Sequence, residues 1–240
     1  MARHNSFVNQ AQYHPETLLT YSDGSQIYFL NRFRRVGSAV VGYHQGREVF
    51  HQKLGLGGSA EVYDAELTGL VTGLSESISF AYKHPEVHHI QLYADNISAI
   101  FIATNPKPQQ GQLIAYIFYQ KALRWLDFSS HHHLSISWSP GHTKIRGNEK
   151  ADKLAKEAAK LQSQFNTTTT SASHRAHEYM LTKWIWIWIN RPQNSRYGPA
   201  NRIPPSLQPT PHFKALRNQR EVFGRLIQCR TGHGYFGDYY

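Results

Sequence analysis

The chain has 240 residues, enough for one full domain and a smaller appendage. Hydrophobic residues make up 40% of the sequence, which is typical of a globular protein and excludes a wholly disordered chain. A single cysteine, Cys229, excludes an internal disulfide and a multi-cysteine zinc site. The first residues lack the apolar core of a signal peptide, and no apolar run is long enough to cross a membrane. We therefore expect an intracellular protein of the nucleus or cytoplasm that is not secreted and has no membrane partner.

The net charge is +10, and most of it lies in the last third of the chain. Residues 1–160 carry 16 Lys and Arg against 13 Asp and Glu, whereas residues 161–240 carry 10 against 3. A basic excess of this kind favours binding to polyanions such as nucleic acid, although a solvated surface rich in arginine would have the same composition.

Three short runs rich in β-branched, aromatic and aliphatic residues predict strands at 17–23, 38–43 and 48–54. Only four residues separate the second strand from the third, too few for a crossover helix. These strands are therefore expected to be antiparallel neighbours.

Apolar residues then recur at helical spacing over 60–82, and further strands and helices alternate after it. The later strands are predicted at 89–94 and 134–138, and the later helices at 96–104, 112–127 and 148–161. Helices that connect strands imply parallel pairing. The predicted fold class is α/β, with a mixed five-stranded sheet that begins with three antiparallel strands and is flanked by helices.

A polar stretch without periodicity, QSQFNTTTTSAS, marks the predicted domain boundary. We expect a tail at 1–16, the main domain at 17–161, a linker at 162–175 and a basic, mostly helical extension at 176–240. In the extension, 178–189 is interpreted as a helix, although WIWIWI alternates strictly enough for a strand. A final amphipathic helix is predicted over 213–227.

Four carboxylates, those of Asp23, Glu66, Asp95 and Asp152, occupy positions that suit one shared site. Each has an ordinary explanation by itself, since an Asp followed by Gly or Asn suits a turn or a helix cap and a Glu or Asp on a helix is commonly solvated. Together, two acids at strand ends and one near the start of the intervening helix can converge at one sheet edge. Carboxylates that lie close together repel each other unless cations neutralise them, which predicts divalent metal and phosphodiester hydrolysis.

The segments YSDGS, DAELTGL, LYADN and WSPGHTKIRGNEKADKLAKEAA resemble the four successive motifs of type 1 ribonuclease H. The resemblance covers about residues 17–161, and it is strongest to the ribonuclease H domains of reverse transcriptases in fungal non-LTR (LINE-type) retrotransposons. It implies a ribonuclease H-like fold. It also implies endonucleolytic hydrolysis of the RNA strand of RNA/DNA hybrids, leaving 5′-phosphate and 3′-hydroxyl ends.

By this resemblance the four carboxylates bind two Mg²⁺ ions, for which Mn²⁺ is a substitute. His142, in the PGH turn, matches a histidine of a mobile loop that assists proton transfer or product release, whereas by itself a His beside Gly is an ordinary loop residue. Glu61 and Asp64 are rival acids within DAELTGL, but only Glu66 stands before Leu as the family motif requires.

The resemblance also implies an RNA/DNA hybrid as partner and a reverse transcriptase domain, either upstream or on a separate chain. The chain itself is expected to be a monomer. Nucleic-acid contacts are predicted at Ser25, Asn96, Lys214, Arg217 and Arg220. The glycine-rich stretch that often follows the first strand in the family is replaced by QIYFLNRFRRVG, whose Arg32, Arg34 and Arg35 suit phosphate contacts or a solvated hairpin equally well.

The segment IQCRTGHGYFGDYY resembles the stretch that precedes a Cys/His zinc site, so the extension is interpreted as a truncated retroelement tail. Cys229 and His233 supply only two ligands, too few for structural zinc. The three histidines at 131–133 are interpreted as a solvated loop before a strand rather than a metal site.

Two further functions stay open at this point. A nucleic-acid-binding remnant that has lost catalysis is disfavoured by the presence of all four acids. A related integrase- or resolvase-like phosphotransferase is disfavoured by the PGH, GNE and AD segments.

Overall fold

The computed structural model describes residues 13–29, 33–109, 111–140, 145–163, 167–190, 206, 208, 211–216 and 218–231. Contacts between residues divide the chain into two compact units, residues 1–172 and 173–240. Among the described helices, none is both long enough and apolar enough to cross a membrane.

Five strands of the first unit form one sheet. They are β1 (Thr17–Tyr28), β2 (Arg34–His44), β3 (Arg47–Gly57), β4 (His89–Ala94) and β5 (His133–Trp138). Their order in the sheet is β3-β2-β1-β4-β5. The first three strands pair antiparallel, whereas β4 pairs parallel with both β1 and β5. The predicted mixed five-stranded sheet with three antiparallel strands first is therefore confirmed.

Seven helices lie in the described parts of the chain. They are α1 (Val62–Lys83), α2 (Ile97–Thr104), α3 (Gln112–Phe128), α4 (Arg146–Ala158), α5 (Thr169–Ile189), α6 (Pro211–Leu216) and α7 (Arg220–Thr231). The WIWIWI segment is helical, as part of α5. The final helix predicted over 213–227 is instead two helices, α6 and α7, and between them the Gln219 N–H donates to the Leu216 carbonyl at 2.8 Å.

Alternation along the strands sends successive side chains to opposite faces of the sheet. Leu18 and Leu92 pack with Leu67 and Leu70 of α1 on one face. The residues that follow them in the strands, Leu19 and Tyr93, belong to the opposite cluster, which Leu154 of α4 and its neighbours complete. The sheet is therefore covered by α1 to α3 on one face and by α4 on the other.

The first strand extends further than the sequence predicts. The predicted strand ends at Asp23. The parallel pairing of β1 with β4 ends at Tyr21↔Tyr93, but its antiparallel pairing with β2 continues to Tyr28↔Arg34. Asp23 therefore lies inside β1 rather than at its end, and faces the space just beyond the end of β4.

Candidate active site

Strand register brings Asp23 and Asp95 together. Tyr21 and Tyr93 form the last parallel pair between β1 and β4, and each aspartate lies two residues beyond that pair. Residues in matched positions of neighbouring parallel strands lie side by side, so the two carboxylates meet at this edge of the sheet.

Helix α1 brings the third carboxylate, that of Glu66, to the same place. Its first turn packs against β1 so closely that a Cβ on Gly24 would lie 2.8 Å from the Glu66 backbone nitrogen. One carboxylate oxygen each from Asp23, Glu66 and Asp95 lies within 4.8 Å of the others. Asp23 is 6% exposed and Glu66 is 4% exposed, so the cluster is largely withdrawn from solvent.

The fourth predicted acid, Asp152, comes from α4 on the other face of the sheet. It lines the same pocket, of about 190 Å³, as the other three acids. Its Oδ2 accepts a hydrogen bond from Nζ of Lys156 at 2.7 Å. The structure thus brings all four predicted carboxylates into one pocket, at the meeting point of β1, α1, β4 and α4.

Burial and mutual repulsion make this cluster costly to ionise. Burial, followed by the charges of Asp95 and Asp152, raises the pKa of Asp23 from 3.8 to about 7, against opposing effects of the Gly24 backbone N–H and Lys156. The pKa of Glu66 is raised well above its ordinary value by burial and then by the charges of Asp23 and Asp95. A bound cation would relieve both effects by neutralising the carboxylates.

The donor set fits a hard divalent cation. All four side chains offer carboxylate oxygens, which Mg²⁺ and Ca²⁺ prefer as ligands. Oε2 of Glu66 is buried and has no hydrogen-bond partner among the described residues, so it retains lone pairs for a ligand. A buried acceptor without a donor is unusual, and a metal ion is one of the partners that would satisfy it.

Two residues without a predicted role, Asn148 and Glu149, also line the pocket. Asn148 is buried, and within the described part of the chain its Oδ1 has no hydrogen-bond partner. Both lie in the GNE segment. That segment is recognisable as part of a motif, but only the packing of α4 against the sheet shows that these side chains face the acids.

The rival acids of α1 have other partners. Glu61 accepts two hydrogen bonds from the Arg34 guanidinium, at 2.7 and 2.9 Å. Asp64 accepts the Glu61 backbone N–H at 2.9 Å, which closes a capping box at the start of the helix.

Two of the arginines considered for phosphate contacts have partners within the chain. Arg34 forms an ion pair with Glu61, and the Arg35 guanidinium lies over the Phe29 ring, 5.4 Å from its centroid.

The predicted nucleic-acid contacts lie in different settings. Ser25 is largely buried in β1. Asn96 caps α2, where its Oδ1 accepts the Ala99 N–H at 3.0 Å. Lys214 and Arg220 are exposed residues of α6 and α7 in the second unit.

The remaining residues named from the sequence do not belong to the acid cluster in the part of the chain that the structure describes. His142, Arg217, Arg32 and His233 lie outside the described residues. Cys229 is exposed on α7. His132 stacks on Trp125, with ring centroids 3.5 Å apart, and its Nδ1 lies 2.8 Å from the Trp125 carbonyl oxygen.

Comparisons with known proteins found a matching family model and similar solved structures. A family model described as RNase H matches residues 15–160. No match was found among curated proteins.

Solved structures similar to this chain include RNase H1 from the archaeon Halobacterium salinarum, with 21% identity, a TM-score of 0.42, and coverage of 59% of this chain and 96% of that one. The N-terminal RNase H domain of rv2228c from Mycobacterium tuberculosis has 16% identity, a TM-score of 0.43, and coverage of 67% and 98%. The foamy viral protease-reverse transcriptase in complex with RNA/DNA hybrid has 14% identity, a TM-score of 0.49, and coverage of 62% of this chain and 20% of that chain.

Proposed function

Because the chain belongs to the RNase H family, we propose that it is an endoribonuclease that hydrolyses the RNA strand of RNA/DNA hybrids and leaves 5′-phosphate and 3′-hydroxyl ends. The observation that carries the proposal is the convergence of Asp23, Glu66 and Asp95, whose carboxylate oxygens lie within 4.8 Å of one another. Asp152 lines the same pocket and completes the set of four.

The four carboxylates are the proposed ligands of two Mg²⁺ ions, for which Mn²⁺ is a substitute. When bound, such ions supply Lewis acidity that lowers the pKa of water and stabilises the charge on the departing 3′ oxygen. The chain itself provides the fixed geometry: Asp23 is held within a paired strand, Asp95 follows the last pair of β4, and Glu66 lies in a helix packed on the sheet.

Other residues are assigned supporting roles in this proposal. His142 assists proton transfer or product release. Ser25 and Asn96 contact the hybrid near the acids, and Lys214, Arg217 and Arg220 contact phosphates, consistent with the net charge of +10. The resemblance of the four motifs supports an origin in a retrotransposon and cooperation with a reverse transcriptase domain, upstream or on a separate chain.

The deciding experiment is a cleavage assay with labelled RNA annealed to DNA in the presence of Mg²⁺. Double-stranded RNA and double-stranded DNA of the same sequence serve as substrate controls, and Asp23→Asn serves as the enzyme control. We expect cleavage of the hybrid RNA alone, by the wild-type chain alone, with product 3′ ends that a polymerase can extend. A wild-type chain that binds the hybrid tightly but leaves the RNA intact would instead be a nucleic-acid-binding module without catalysis.

A further inference from the structure

Thr168, which lies beyond the predicted main domain at 17–161, contacts the helix that carries Glu66. Asp64 lies in the first turn of α1 and is 1% exposed. Its Oδ2 accepts two hydrogen bonds, one from the Glu61 backbone N–H at 2.9 Å and one from the Thr168 hydroxyl at 2.6 Å. Thr168 follows Asp64 by 104 positions, so the two meet through the fold and not through local sequence.

Thr168 is itself held in place by the backbone around it. Its N–H donates to the Ser59 carbonyl at 3.0 Å, just before α1 begins. Its Oγ1 accepts the Ser171 N–H at 3.1 Å and its carbonyl accepts the Ala172 N–H at 2.9 Å, so it also caps the start of α5. One side chain therefore joins the N-termini of two helices.

The neighbours of Thr168 are packed as well. Thr170 and Ser171 are buried. Residues 167–171, here called the threonine strap, lie in the segment that composition alone assigns to a linker. A flexible linker has no fixed packing partners, whereas the strap has Ser59 and Asp64.

The sheet also contacts the same turn of α1. The Ser38 hydroxyl, on β2, donates to the Ala65 carbonyl at 2.7 Å. Ala65 lies between Asp64, which the strap contacts, and Glu66. The Glu66 carboxylate accepts a hydrogen bond from the Gly24 backbone N–H, and its Oε2 has no hydrogen-bond partner among the described residues. The place of this carboxylate therefore depends on Gly24 and on the backbone of the turn that carries Glu66.

We propose that Thr168 is a positioning residue for the carboxylate of Glu66, acting through Asp64, and that the working nuclease therefore extends at least to Thr168. The inference rests on the proposed function, because it assumes that Glu66 binds metal. Removal of the Thr168 hydroxyl deprives the buried Asp64 carboxylate of one hydrogen-bond donor. The first turn of α1 can then shift or fray. A shift at Asp64 moves Glu66 relative to Asp23 and Asp95.

The test compares three variants of the full chain. Thr168→Val keeps the shape of the side chain and removes the hydroxyl, Thr168→Ser keeps the hydroxyl, and Thr169→Val makes the same change at the exposed neighbouring position. Mn²⁺ binding is measured by calorimetry without nucleic acid, the Mg²⁺ concentration for half-maximal cleavage is measured with hybrid, and thermal melting is followed by circular dichroism. We expect Thr168→Val to weaken Mn²⁺ binding and raise the Mg²⁺ requirement by about tenfold, as is typical when a residue that supports a metal ligand is removed. Thr168→Ser and Thr169→Val should both resemble the wild type.

A purely structural role predicts a different result. Thr168→Val would then melt at a lower temperature but, when folded, would bind Mn²⁺ and respond to Mg²⁺ as the wild type does, and the proposal would be overturned. If Thr168→Val does not fold, Asp64→Asn alone provides the second measurement: weaker Mn²⁺ binding supports the proposal, and unchanged Mn²⁺ binding overturns it. If Thr168→Val folds, it is also combined with Asp64→Asn in a double variant. If the losses of Mn²⁺ binding free energy in the two single variants do not add in the double variant, Thr168 acts through Asp64. Additive losses contradict that proposal. A wild-type chain that binds Mn²⁺ but cleaves nothing refutes the proposed function only, since the Mn²⁺ comparison still decides the role of Thr168.

Discussion

Nζ of Lys156 lies 2.7 Å from Oδ2 of Asp152, one helical turn further along α4. The Lys156 ammonium places a positive charge beside the acids, and this charge opposes the rise in the pKa of Asp23. In return, the hydrogen bond that Lys156 donates to Asp152 raises the pKa of Lys156. A divalent cation bound by Asp152 would therefore compete with Lys156 for the same carboxylate.

We expect Lys156→Met to bind Mg²⁺ more tightly than the wild type and to be less stable without it. The substitution removes one positive charge from a group of acids, so metal-free repulsion increases while attraction for an added cation also increases. The metal-free effect should be modest, about 1 kcal/mol or less, because the Lys156 side chain is 53% exposed. Thermal melting with and without Mg²⁺ measures both quantities, and Lys153→Met on the same helix is the control. An unchanged Mg²⁺-induced rise in melting temperature would contradict the competition.

Asp23→Asn should abolish cleavage and at the same time stabilise the metal-free chain. An amide cannot supply the negative charge that holds a divalent cation, but it also avoids the cost of a buried carboxylate. With the pKa of Asp23 raised from 3.8 to about 7, the gain at pH 8 is at most about 4 kcal/mol. A hybrid cleavage assay tests the loss of activity, and thermal melting in the presence of a chelator tests the gain in stability of the metal-free chain. Cleavage near the wild-type rate would refute the assignment of Asp23.

The stability difference between the wild type and Asp23→Asn should depend on pH. The carboxyl of Asp23 has a higher pKa in the folded chain than in the unfolded one, so folding takes up a proton between these values. Its cost to stability is therefore absent below about pH 4, grows as pH rises from 3.8 through about 7, and is complete above that. Melting curves in chelator between pH 4 and pH 8 should show the two chains diverging as pH rises, and saturating Mg²⁺ should reverse their order at pH 8. A difference that does not change with pH would contradict the raised pKa.

Calcium in place of magnesium should allow metal and hybrid binding but little cleavage. Ca²⁺ is larger, accepts more ligands and tolerates loose coordination, so it can occupy a carboxylate site without enforcing the geometry for in-line displacement. Single-turnover cleavage in each ion, beside hybrid binding measured by fluorescence anisotropy, separates the two effects. Comparable cleavage rates in Ca²⁺ and Mg²⁺ would argue against two-metal catalysis.

The basic extension can be tested by truncation, provided that the threonine strap is kept. A chain ended at Lys183 retains Thr168 and omits eight basic residues: Arg191, Arg196, Arg202, Lys214, Arg217, Arg220, Arg225 and Arg230. It should melt as the full chain does but bind hybrid with a flatter salt dependence, by about 0.9 in the log-log slope for each phosphate that is no longer neutralised. A chain ended at Gln162 also lacks the Thr168 hydroxyl that donates to Asp64 and should melt at a lower temperature. A salt slope unchanged by the Lys183 truncation would refute a role for the extension in binding.

Sequence patterns predicted a mixed five-stranded sheet with three antiparallel strands first, because strand periodicity and connection length indicate both features. They did not predict that β4 lies beside β1. Local motifs also indicated the four acids that the fold brings into one pocket, and their role as metal ligands stays a prediction. The position of Asp23 within β1, and not at the end of the strand, was not predicted. It depends on how far β2 continues to pair with β1. Tertiary contacts also determine the burial of Asn148 and the hydrogen bond between Thr168 and Asp64, and no local pattern in a threonine-rich stretch indicates a partner 104 residues away.

Strand β3 forms one edge of the sheet, and its pairing with β2 is interrupted twice. The register skips Val49 between Phe50 and Glu48, and it skips Leu56 between Gly57 and Gly55. The Ser163 hydroxyl donates to the carbonyl of Leu56 at 2.9 Å. Bulged edges are poor templates for further strands, because their unpaired groups no longer form a regular ladder. A strand from another molecule would meet two irregularities in succession and would compete with Ser163 for the Leu56 carbonyl, which protects this edge against intermolecular β-sheet growth.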